Sequence, residues 1–141
     1  MYKERFYRML EHCQLNKIKV TFYDGEDICY PKVSLVCINN KQSWRKRLYT
    51  LLHELGHIEI YRNKEDWSKS FSMFSIDVDD GRVRRSKKYQ ISLIAEEIDA
   101  WRIGRQIAND CGVFIDNDDY INLMNECVYS YVKDASIVIN K

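Results

Sequence analysis

The sequence predicts an α+β domain in which a small β-sheet packs against a handful of helices. Two short runs rich in β-branched and aromatic residues, Ile18–Tyr23 and Val33–Ile38, read as strands. Two long stretches, 44–61 and 87–109, place apolar residues at helical spacing. The strand signals cluster together after one short helical segment instead of alternating with helices, the order expected of an α+β chain.

Each element follows from its own residues. Positions 2–14 form an amphipathic helix with Phe6, Met9 and Leu10 turned inward. Ile18–Tyr23 alternates apolar and polar residues and stops at Asp24-Gly25, a turn pair. Residues 27–30 add a short strand before Pro31, the only proline. Val33–Ile38 is more uniformly apolar, which predicts a strand covered on both faces. In the 44–61 helix, Leu48, Leu51, Leu52, Leu55 and Ile58 form the buried stripe. Residues 116–133 read as a last helix, opened by Asp and Asn capping residues, with Tyr120, Leu123, Met124, Cys127, Val128 and Tyr131 inward. The run Ile137–Ile139 is too short to place.

Residues 63–86 form a long connection. It holds Trp67, Phe71, Met73 and Phe74, an acidic run at 77–80 and a basic run from Arg82 to Lys88. A connection of this length in a compact domain reads either as a substrate lid or as an extra hairpin along the sheet edge. The basic run reads as a solvated face, because the neighbouring acids oppose nucleic acid.

At 141 residues the chain is expected to be one domain, 1–141, with its own core. Its net charge of +1 supplies no general attraction to nucleic acid or acidic membrane. No segment has the pattern of a secretory leader, and no apolar run reaches membrane-spanning length. The five cysteines are odd in number, scattered and without a CxxC pair, which predicts reduced thiols in a cytoplasmic protein.

The chemistry is concentrated in His53-Glu54-Leu55-Gly56-His57. Four residues are just over one helical turn, so His53 and His57 share a face and can bind one metal ion, with Glu54 beside them to hold a water. Two of the three histidines lie in this motif. Gly56 costs about 1 kcal/mol relative to alanine in mid-helix, which makes sense if another part of the chain must approach closely there. The alternative is a histidine pair on the surface of an ordinary amphipathic helix.

A catalytic zinc needs a third protein ligand. His12 has no spacing that recommends it, and no histidine follows His57, so a carboxylate is expected. On a helical wheel of residues 87–109, Ser92, Asp99, Arg102 and Gln106 form the polar arc. Glu97 falls near the centre of the apolar arc and Glu96 at its edge. A buried carboxylate needs a cation, and the metal is the obvious one; an arginine is the alternative. Ala100 and Gly104 leave room for the first long helix. Glu96 or Asp99 could hold a histidine N–H from outside.

With His53, Glu54, His57 and Glu97 assembled, the chain resembles a compact gluzincin, an HExxH zinc metallopeptidase of the ImmA/IrrE type. The residues that carry the likeness are His53–His57 and Glu97-Ile-Asp-Ala100, followed by Trp101 and Gly104, within a span of about 17–110. The resemblance implies a minimal zincin-like domain and cleavage of a regulatory protein, such as a repressor, in a bacterial or phage setting.

The expected chemistry is hydrolysis of a peptide bond with zinc held by His53, His57 and Glu97 and with Glu54 as general base. Tyr61, one turn beyond His57, is the first candidate to steady the oxyanion, with Tyr89 and Tyr30 as others. A protein or peptide is the expected partner, with no membrane and no nucleic acid. The competing readings are a zinc-stabilised partner-binding module that hydrolyses nothing, and a DNA-associated protein using the basic run.

Overall fold

A computed structural model describes residues 1–63 and 81–140. The elements run α1 (Tyr2–Leu15), β1 (Lys19–Tyr23), β2 (Ile28–Tyr30), a 3-10 turn (Pro31–Val33), β3 (Leu35–Asn39), α2 (Trp44–Arg62), α3 (Gly81–Arg84), α4 (Lys87–Asp110) and α5 (Asn117–Ile139). The fold is mixed α+β with a three-stranded sheet. Most of the 63–86 connection, with its aromatic and acidic runs, lies outside the described residues, and so does the choice between lid and hairpin.

The chain divides into two compact units, one of residues 1–62 and 100–116, the other of residues 63–99 and 117–141. In the first, the strand order is β1-β3-β2. β1 runs parallel to β3, with Lys19 opposite Leu35 and Tyr23 opposite Asn39. β2 is antiparallel to β3, with Ile28 opposite Cys37 and Tyr30 opposite Leu35. The chain therefore crosses from one sheet edge to the other before entering the centre. Asp27 anchors that crossing: its Oδ1 accepts from the Asn39 amide at 2.7 Å and from Gln42 Nε2 at 2.8 Å.

The register places Val20, Phe22, Cys29, Val36 and Ile38 on one face of the sheet. Phe6 of α1 meets Phe22 there, ring centroids 5.7 Å apart. Phe6, Met9 and Cys13 form the buried stripe of α1, and Leu48, Leu51, Leu52, Leu55 and Ile58 that of α2.

Two expectations need correction. β3 is not covered evenly: Val36 and Ile38 are fully buried, while Leu35 and Cys37 are only half-buried. Val33 is not in the strand at all. Pro31 opens a 3-10 turn and Ser34 takes a left-handed φ of 52°, so the hairpin consumes the first residues of the apolar run. The final helix is also longer than expected and absorbs Ile137–Ile139.

In the second unit, Ser86 caps α4. Its Oγ accepts from the Tyr89 amide at 3.1 Å and donates to the Val83 carbonyl at 2.8 Å. Arg82, Arg84, Arg85, Lys87 and Lys88 are exposed, as a solvated face requires. Tyr120 and Ala135 are the buried residues of α5; Leu123, Met124, Cys127 and Val128 are half-buried and Tyr131 is exposed. Among the described residues, no helix is long and apolar enough to cross a membrane.

None of the five cysteines forms a disulfide. Burial, and secondarily the nearby Cys111, pushes the Cys13 thiol from 9.0 up to about 12. The folded pKa lies above the unfolded one, so Cys13 contributes stability that is fully present below pH 9 and is lost as pH rises toward 12. Iodoacetamide at pH 8 should therefore leave Cys13 unlabelled in the native protein and modify it after unfolding, as read by peptide mass mapping. Rapid native labelling of Cys13 would contradict this burial.

Candidate metal centre

The centre is built on α2. Its i, i+4 spacing turns the Nε2 atoms of His53 and His57 toward each other at 3.0 Å. Two nitrogen ligands at zinc-bond length stand about 3.3 Å apart in a tetrahedron, so the pair is close to the separation that a shared ion requires. Glu54 is 7% exposed, and its Oε1 lies 3.6 Å from His53 Nδ1.

The second wall is α4, and its register comes from backbone contact. A Cβ on Gly56 would stand 1.9 Å from the Ala100 carbonyl oxygen, and one on Gly104 would stand 2.2 Å from that of Leu52. These two contacts bracket a third, in which the indole of Trp101 stacks on His53, centroids 4.4 Å apart and planes 9° from parallel. Leu52 with Gly104, His53 with Trp101 and Gly56 with Ala100 define an antiparallel pairing. Because α4 is one continuous helix, the residue one turn before Trp101 is Glu97.

The donor atoms of His53, His57 and Glu97 all lie within 4.8 Å of one another. Both histidines are half-buried and Glu97 is 8% exposed. Two imidazoles and a buried carboxylate make a donor set that fits a divalent ion, and this group could hold one.

The structure thus brings together the three expected ligands, with Glu54 at their edge. Tyr61 sits in the last turn of α2 and is 39% exposed; Tyr30 is 48% exposed and Tyr89 half-buried. Glu96 and Asp99 are half-buried on α4. His12 belongs elsewhere, its Nδ1 3.3 Å from Cys111 Sγ.

Two neighbours of the site had no role at the metal assigned from the sequence. Trp101 follows Glu97 by four residues and so shares its face, a signal that helical periodicity carries. Cys29 carried no such signal. Burial raises its thiol to about 12, with the charge of Glu54 as the second cause. β2 thus brings Cys29 within electrostatic reach of Glu54, a proximity created only by the sheet. Comparison with protein-family models, with curated proteins and with solved structures yields no match to this chain.

Proposed function

We propose that the protein is a zinc-dependent metallopeptidase of the ImmA/IrrE kind that cleaves a peptide bond in a regulatory protein. The observation that carries this reading is the convergence of His53, His57 and Glu97 with a buried Glu54 at its edge. A structural zinc site has no need of such a base and is closed by four protein ligands.

His53 and His57 would bind through Nε2, and Glu97 would supply the anionic ligand. When bound, zinc would supply a Lewis acid that acidifies water and polarises the scissile carbonyl. Glu54 accepts the proton of the attacking water and passes it to the leaving amine. Tyr61 is the proposed donor to the oxyanion, its place one turn past His57 being what recommends it. An extended peptide paired with β2, an edge strand of the three-stranded sheet, would run past Glu54, because Cys29 on that strand feels the Glu54 charge.

The purified protein should carry about one zinc per chain by elemental analysis. It should cleave a regulator encoded in the same genome, lose that activity to a chelator and recover it with zinc. Protein that holds no zinc and takes none up would overturn the reading. Zinc bound with no cleavage, together with tight binding of a partner, would replace it with a zinc-stabilised interaction module.

A further inference from the structure

We infer that Trp101 is a positioning residue for the metal ligand His53. Its indole is the wall that holds the imidazole plane so that Nε2 faces His57. The inference rests on the proposed metal centre, because only there does the orientation of His53 acquire a consequence.

The geometry is specific. The two rings lie 4.4 Å apart at 9° from parallel, a face-to-face stack. Trp101 is fully buried, so its indole cannot swing into solvent. The backbone contacts on either side of the stack, Leu52 with Gly104 and Gly56 with Ala100, hold the two helices in close approach. The imidazole is therefore confined to a plane set by a rigid neighbour. Rotation about the Cβ–Cγ bond would drive the ring edge into the indole face.

A metal ligand held in one orientation before the ion arrives loses little freedom on binding. Side chains that orient ligands from outside the coordination shell typically change metal affinity by about 10–100-fold. Such partners are commonly carboxylates or carbonyls that fix a histidine through its second nitrogen; here an aromatic face would do so through the ring plane. The requirement is for flatness, not only for apolar volume. Phenylalanine should therefore substitute for Trp101, and leucine should not.

Two measurements test this. In metal-free protein, the ring current of Trp101 should shift the His53 ring protons upfield of those of His57 in NMR spectra, and Trp101→Leu should abolish the shift. In zinc competition titrations, Trp101→Phe should bind within a few-fold of wild type, and Trp101→Leu should bind about 10–100-fold more weakly with helical content retained. Absence of the upfield shift in wild type would overturn the stack, whatever the metal does. Equal zinc affinity for wild type and Trp101→Leu would overturn the positioning role. Failure of the metal reading itself looks different, because then no variant takes up zinc. Should Trp101→Leu fail to fold, quenching decides. Co(II) bound to a protein whose other tryptophans are phenylalanine should quench the emission of Trp101 strongly, and unquenched emission with bound cobalt would overturn the contact.

Discussion

Glu54→Gln should leave the protein folded and able to bind zinc while lowering the proposed peptide hydrolysis by about 10²–10⁴-fold. Glutamine keeps the shape of the side chain and can still hold a water, but it cannot take the water's proton. Its carboxylate is not among the three converging donors, so the affinity for metal should change little. Turnover of a cleavable regulator, measured beside zinc content by elemental analysis, separates the two properties. Full activity in the variant would remove Glu54 from the chemistry. Loss of zinc along with activity would mean that its carboxylate supports His53, from which it stands 3.6 Å, and does not serve as the base.

Gly56→Ala is expected to destabilise the fold by about 3 kcal/mol or more, at the upper end of what overpacking costs. The added methyl would stand 1.9 Å from a backbone oxygen and 2.6 Å from its carbon, and neither can be relieved by turning a side chain. Helix propensity alone predicts the opposite sign, a gain of about 1 kcal/mol for alanine in mid-helix. The direction of the change in urea midpoint therefore decides between the two. A stabilised variant would show that α2 and α4 do not touch at this point. Gly104→Ala should behave alike, with its methyl 2.2 Å from the Leu52 carbonyl oxygen. A partial separation of the helices should also weaken metal binding, because Glu97 rides on α4 one turn from the contact.

These two substitutions probe different levels of the molecule. The Glu54 side chain lies within a five-residue motif, and its placement beside His53 follows from their being neighbours on one helix. The Gly56 contact joins residues far apart in the sequence, and only the residue type hinted at it. A glycine in a strongly helical segment is a local cost, and that cost marked the position without naming Ala100 as the group it admits.

Glu97 stands between these cases. Its position near the centre of an apolar arc, on a helix with small residues at Ala100 and Gly104, was readable from periodicity, and the structure buries it beside His53 and His57. A buried carboxylate has few ways to be stable, so its chemistry restricts its neighbours. β3 shows the opposite case. An apolar run from Val33 to Ile38 reads as a strand covered on both faces, yet the hairpin geometry at Pro31–Ser34 withdrew Val33 and left one face only half-buried. Apolar composition measures a tendency to be buried; it does not show which neighbours will do the burying.

By itself, the sequence determined what is local: the helices, the i, i+4 pairing of His53 with His57, the neighbouring carboxylate of Glu54 and the apolar setting of Glu97. Those follow from helical geometry, which every residue carries in its own backbone. The tertiary structure alone decided the register of α2 against α4, the stacking of Trp101 on His53 and the passage of Cys29 past Glu54. Register is set where two backbones far apart in the sequence come into contact, and no periodicity within either helix specifies which glycine meets which carbonyl.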